Sequence, residues 1–206
     1  MHALPRSFRA GGFTLIELLI VIAIIAILIG LLFPAFKGVQ DQAKRTQAKN
    51  DLTQIVTAVN AFYTEYGRYP VSSTITTDAY FGSGTAPSGT TSAGTNDVLF
   101  NELRAVSSAL NTRQIVFISP PNVKDGSNPR SGIGTTTSTG QYFDPWGSTY
   151  NVTIDTNYDN QLTNPYTADT GAGPATLRQG AIGWSIGKDK TQGTNFSSSD
   201  DVISWQ

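Results

Sequence analysis

Hydrophobic and polar positions follow two different rules along this chain of 206 residues. From Leu18 to Phe36 the residues are Leu, Ile, Val, Ala and Phe with one Gly and one Pro, and no charge falls between Glu17 and Lys37. At about 1.5 Å per residue such a run is long enough for a hydrocarbon core of about 30 Å, so a membrane-spanning helix is predicted. Beyond it the pattern becomes one-sided. Leu52, Ile55, Val56, Val59, Phe62, Tyr63 and Tyr66 recur at steps of three and four, with Asp51, Gln54, Asn60 and Glu65 between them, which predicts an amphipathic helix continuing the first. Gly67 and Pro70 end it: Pro70 pushes Tyr69 out of the helical region, and Gly67 tolerates a left-handed cap. The stem is therefore expected from about Phe13 to Tyr66, with a kink or local unwinding where Gly30 and Pro34 weaken the helix interior.

The remainder reads as a small head. Val71 to Asn96 is rich in Ser, Thr, Gly and Ala without an apolar period and is expected to be a long loop. Asn96 is placed to cap a second helix from Asp97 to about Leu110, with Leu99, Leu103, Val106 and Leu110 on one face. Gln114 to Ser119 reads as a short strand stopped by Pro120-Pro121, and Lys124 to Gly140 as loop. In Phe143-Asp144-Pro145-Trp146-Gly147, Pro145 sets φ, Gly147 permits positive φ and Asp144 can accept from the N–H groups ahead of it, which predicts a turn beside a core Trp146. Tyr150 to Asp155 and Ala181 to Ile186 read as strands. The fold class is α+β, a long helix packed on a small, mainly antiparallel sheet.

Composition narrows the chemistry. Charged residues are 14 % of the chain, the net charge is −1 and there is no Cys, so neither a basic nucleic-acid surface nor a disulfide framework is indicated. The single His is His2, ahead of the apolar run, so the chain beyond that N-terminal stretch has no His for Ser-His-Asp, Cys-His or ordinary zinc arrangements; no Walker loop or G-x-S-x-G is present. No small-x-small cleavage site follows the apolar run. Arg6 and Arg9 ahead of it favour an N-terminus in the cytoplasm with the rest across the membrane, opposed by Lys37, Lys44, Arg45 and Lys49 on the far side.

Two acidic features stand out. Glu17 opens the apolar run, where an ionised carboxylate needs either a cation at similar depth or a place near the headgroups at a helix N-terminus. Asp189, Asp200 and Asp201 flank an oxygen-rich loop that suits a hard cation taking six to eight oxygens, the bland alternative being a solvated acidic loop. Asp155-Thr156-Asn157-Tyr158-Asp159-Asn160 has the opening of an EF-hand loop, but Asn160 replaces the turn Gly and Tyr166 stands where the bidentate Glu belongs, so a polar hairpin turn is expected.

Gly12-Phe13-Thr14-Leu15-Ile16-Glu17-Leu18, behind a leader carrying Arg6 and Arg9 and ahead of the apolar run, resembles the processing signature of type IV pilins and type II secretion pseudopilins. The resemblance implies a leader at 1–12, a membrane and filament-core helix at 13–36, an amphipathic continuation at 37–70 and a globular head at 71–206. It implies cleavage by a prepilin peptidase between Gly12 and Phe13, N-methylation of Phe13, and pairing of Glu17 with the Phe13 amine of a neighbouring subunit. On this view Glu17 is unsatisfied in the lone subunit. The Tyr66-to-Pro70 stop, the Asp144 turn and the S-x-G-x-D…D-D-V-x-x-W arrangement of the C-terminal loop resemble the major pseudopilin branch. That implies a structural Ca2+ on Asp189, Asp200 and Asp201, and a homopolymer grown at an inner-membrane assembly platform with minor pseudopilins, forming a periplasmic fibre for protein secretion. A type IV pilin for adhesion, motility or DNA uptake shares the N-terminal features. An anchored monomeric binding domain, or an enzyme using the three carboxylates around a metal, are the readings from other classes.

Overall fold

The computed structural model describes residues 12–136, 138–166 and 170–206, with the backbone alone at 31–35 and 170. Two compact units result, 1–42 and 43–206. Helix α1, Leu15–Tyr66, belongs to both. It continues through positions 30 and 34, so neither Gly30 nor Pro34 ends it; the side chain of Pro34 lies outside the described residues, as does the 1–11 part of the leader.

In the first unit the large apolar side chains from Leu15 to Ile29 are exposed all around the helix. Among the described residues no helix is long and apolar enough to cross a membrane. The expected span, Leu18 to Phe36, includes 31–35, whose side chains are not described.

In the second unit α1 behaves as its period requires. Ala48, Leu52, Ile55, Ala58, Val59 and Phe62 are buried, while Thr53, Gln54, Thr57 and Asn60 face out. Each large apolar side chain so buried contributes about 1.5–3 kcal/mol. Tyr63, expected on this face, is instead exposed and stacks on Tyr69, ring centroids 4.7 Å apart. The helix ends as expected: Gly67 has φ of +67° and its N–H donates to Tyr63 O at 2.8 Å.

The face of α1 packs on a five-stranded sheet of β1 (Asp78–Phe81), β2 (Thr90–Gly94), β5 (Asn151–Ile154), β8 (Ala181–Ser185) and β9 (Val202–Ile203), in the order β2-β1-β5-β8-β9. Only β1 and β2 run parallel. Two minor ribbons complete the head: β3 (Gly132–Ile133) with β4 (Tyr142–Phe143), and β6 (Leu162–Thr163) with β7 (Thr176–Leu177). Alternation along the strands splits the core in two. Ala79, Phe81, Val152, Ile154 and Ala181 join the α1 residues, whereas Tyr80, Ile182, Trp184 and Ile203 pack on the other face with Leu162, Tyr166 and Leu177. Every residue of β5 and β8 is buried, because both faces of the central sheet are covered.

Four expectations are corrected. The segment from Val71 to Asn96 contains β1 and β2: β1 is four residues buried throughout, and the Thr-Thr-Ser-Ala-Gly of β2 lacks an apolar period because it is an edge strand. The second helix, α2, is Asn96–Leu103 and stops well short of Leu110. Ala105 takes φ of +58°, Val106 is 64 % exposed, and the Glu102 carboxylate accepts the Leu110 and Asn111 N–H groups, folding the chain back. Asn96 does not cap α2; its side chain bridges Tyr142 and Tyr150 backbone atoms, while Thr95 holds the cap position. Gln114 to Ser119 forms no strand, its Phe117 and Ile118 N–H groups donating to Leu103 O instead.

Candidate functional site

At the start of α1 the short polar residues do local work. Thr14 O accepts the Leu18 N–H at 3.2 Å, Thr14 Oγ1 accepts the Glu17 N–H at 3.3 Å, and Glu17 Oε2 accepts from Thr14 N at 2.8 Å and from Thr14 Oγ1 at 2.7 Å. This reciprocal capping box satisfies donors that a helix start leaves without partners. The expectation that Glu17 is unsatisfied in the lone subunit is therefore corrected: the carboxylate is bonded within its own chain, through Oε2. Gly12 and Phe13 precede the helix outside any regular element and are both exposed, Phe13 at 77 %.

The C-terminal carboxylates are placed by the sheet. Asp201 immediately precedes β9, whose Val202 pairs with Ser185 at the end of β8, and Lys49 of α1 donates to Ile203 O at 2.7 Å. The intervening loop is tied down by Gln192, which accepts from Trp184 Nε1 at 3.3 Å and donates to Pro165 O at 3.2 Å. At its start, Gly187 has φ of +69°, and a Cβ there would lie 2.6 Å from Asp200 O, so only glycine lets the two arms approach.

As the sequence predicts, Asp189, Asp200 and Asp201 converge, each presenting a carboxylate oxygen within 4.8 Å of the others. Ligands on opposite sides of a Ca2+ bound at about 2.4 Å are about 4.8 Å apart, so the three fit one coordination shell. Their surroundings differ. Asp189 is exposed and accepts from Thr191 N at 2.8 Å; Asp200 is half-buried and accepts from Asp189 N at 3.0 Å. Asp201 is 4 % exposed, and its Oδ2 accepts from Tyr166 OH at 2.7 Å and Gly193 N at 2.9 Å. Asp201 Oδ1 is buried with no hydrogen-bond partner. Burial pushes the Asp201 carboxyl above its ordinary range; the Tyr166 and Gly193 bonds pull it down, and the charges of Asp200 and Asp189 push it up again. A buried, partnerless carboxylate oxygen beside two further carboxylates is what a divalent cation offsets. The donor set fits a hard ion, and the arrangement is a loop clamp anchored in the core. Tyr166 was not identified as part of it from the sequence, since its contact with Asp201 spans 35 residues.

Residues 7–33 match the model of the prokaryotic N-terminal methylation motif. Over this stretch the chain is similar to type IV pilin-like prepilins. Over 61 residues the chain is 46 % identical to a type IV major pilin protein PilA of Myxococcus xanthus, covering 30 % of this chain and 28 % of that protein. It is 33 % identical over 64 residues to a type II secretion system core protein G of Pectobacterium carotovorum, 31 % of this chain and 41 % of the other. To the core protein G of Pseudomonas aeruginosa it is 41 % identical over 62 residues, 30 % and 44 % of the two chains. The matched stretch thus spans less than half the length of each of these relatives. No solved structure matches the chain.

Proposed function

We propose that this prepilin-like chain is a structural subunit, the major pseudopilin of a fibre that drives protein secretion. The observation that carries this reading is the first unit: a helix apolar on every side from Leu15 to Ile29, opened by Glu17 and preceded by an exposed Gly12-Phe13 junction. A helix of that kind has no stable place in water and belongs in lipid or against copies of itself. A prepilin peptidase cuts at Gly12-Phe13, and the Phe13 amine so formed is N-methylated. The helix then anchors the chain in the inner membrane with its N-terminus cytoplasmic and its head in the periplasm. An inner-membrane platform and minor pseudopilins take up the subunit.

The capping box gives Glu17 a second part in this scheme. In the lone chain Oε2 accepts from Thr14; a carboxylate has about four acceptor sites, so Glu17 takes the Phe13 amine of a neighbour without giving up its own helix start. Joining the fibre adds a charged partner to a group already oriented by its own helix. Asp189, Asp200 and Asp201 hold Ca2+, whose charge offsets the buried Asp201 Oδ1 and fastens the C-terminal loop to the sheet. Asp201 positions that loop through Tyr166 and Gly193.

A surface type IV pilin is the second reading, favoured by the 46 % identity to a major pilin over 61 residues. The carboxylate clamp and the Tyr66-to-Pro70 and Asp144 turns favour the secretion fibre.

The test is the intact mass and N-terminal sequence of the protein extracted from its own membrane. A chain beginning at methylated Phe13 is expected. A chain still carrying residues 1–12 in the presence of the peptidase would remove the prepilin reading and leave an anchored domain. With processing established, Glu17→Ala is expected to leave insertion intact and abolish fibres; normal fibres from that variant defeat the pairing.

A further inference from the structure

A second acidic site lies on the opposite end of the sheet. The antiparallel register that pairs Ala79 with Ile154 sets Asp78, the first residue of β1, directly across from Asp155, the residue after β5. Residues opposed in this way project to the same face, and like charges there repel. Both are nearly excluded from water, Asp78 at 8 % and Asp155 at 4 % exposure, and Asp78 Oδ1 and Asp155 Oδ1 are both buried with no hydrogen-bond partner. No ammonium or guanidinium group pairs with either among the described residues.

The chain following Asp155 is shaped as a cation loop opens. Asp155, Asn157 and Asp159 alternate, and Asp155 Oδ2 accepts the Asn160 N–H at 2.7 Å. Asn160 has φ of +57°, so it adopts the left-handed conformation for which such loops use glycine. What the loop lacks, the carboxylate that Tyr166 replaces twelve positions in, is supplied from the neighbouring strand by Asp78. We propose that Asp78 and Asp155, joined by Asp159 and carbonyls of the 155–161 loop, bind a second divalent cation, of the hard, calcium-like class.

A shared proton is the competing way to relieve the pair. Burial first, then the charges of Asp155 and Asp159, push the Asp78 carboxyl up to about 6. A shared proton leaves the pair with one negative charge not offset, whereas a divalent cation offsets both carboxylates and answers both unpartnered oxygens. All donors are oxygen, which selects a hard ion, and an irregular loop tolerates calcium better than magnesium. Among the described residues only Asp189, Asp200 and Asp201 present three carboxylates within one ion's reach as they stand. At the second site Asp159 is exposed and bonded to Asn157 and Gln161, so it turns inward on binding, and weaker affinity than at the C-terminal clamp follows.

The test uses the full chain in detergent with the C-terminal clamp disabled by Asp189→Asn and Asp200→Asn. Terbium is added and its emission is excited through tyrosine, since Tyr69 and Tyr158 stack beside the loop with centroids 5.7 Å apart. Expected is saturable emission, displaced by calcium, that drops at least tenfold in affinity when Asp78→Asn is added. Emission that does not saturate, or affinity unchanged by Asp78→Asn, overturns the proposal. Should Asp78→Asn not fold, Asp159→Asn carries the same test from an exposed position: weakening is expected, and unchanged affinity refutes the site.

Discussion

Asp144 and Asp201 are both buried aspartates near Ser185 at the end of β8, yet they are built for opposite purposes. Asp144 Oδ1 accepts the N–H groups of Trp146, Gly147 and Ser148 at 2.9, 2.7 and 2.9 Å, and its Oδ2 accepts from Ser185 Oγ at 2.6 Å. Every lone-pair direction that matters is answered by the protein. Asp201 is also buried but has only one answered oxygen, and its carboxylate stands within one ion's reach of two others. A buried polar group that is fully bonded is a brace, and one left half-bonded beside like charges is a socket. Asp78 and Asp155 follow Asp201 in this respect.

Removing the brace is expected to do the most damage. Asp144→Ala takes the side-chain acceptor from the Trp146 and Ser148 N–H groups and from the Ser185 hydroxyl and should cost about 3 kcal/mol, equally in calcium and in chelator, by denaturant unfolding. A loss that appears only in calcium would erase the distinction between the two aspartates.

The socket should show the reverse. Calcium at about one hundred times its dissociation constant should stabilise the unmutated chain by about 2.7 kcal/mol, and Asp201→Asn should abolish that gain while changing little in chelator. Equal melting of the unmutated chain in calcium and in chelator would break the reading of Asp201.

A smaller effect belongs to Asp78. Its folded carboxyl sits at about 6, above the ordinary value of 3.8, so the folded state binds a proton more tightly than the unfolded one. In chelator the stability this contributes is present below about pH 4 and is lost as pH rises through about 6. Asp78→Asn should flatten that slope in urea titrations, and a slope that survives would assign it to another group.

The least change is expected at the start of α1, where Thr14→Val should cost roughly 1 kcal/mol of local helix stability. Faster amide exchange confined to Leu15–Leu18 checks this, and no change there would remove the capping box from the account.

The stem was legible because its evidence is local. A 3.6-residue period names the buried face of α1, and Gly67 ends the helix where the Pro70 rule places it. The Asp144 turn was read from five consecutive residues, and its acceptor role needs nothing further away. Errors fell where distant contacts overrule local preference. Residues 97–110 have the period of a helix, yet α2 stops at Leu103 because Glu102 finds better partners in the returning chain. Residues 71–96 carry no strand period, yet β1 forms because β5 offers an edge to pair with, and β2 because β1 does in turn.

The sequence by itself determined the apolar helix, its stop, and that Asp189, Asp200 and Asp201 share a loop, since these rest on local periodicity or on composition. Only the tertiary structure decided that Tyr166 holds Asp201, that both faces of the sheet are covered, and that Asp78 stands opposite Asp155. Those depend on strand register, which is set by packing both sheet faces at once and is not encoded in any one segment.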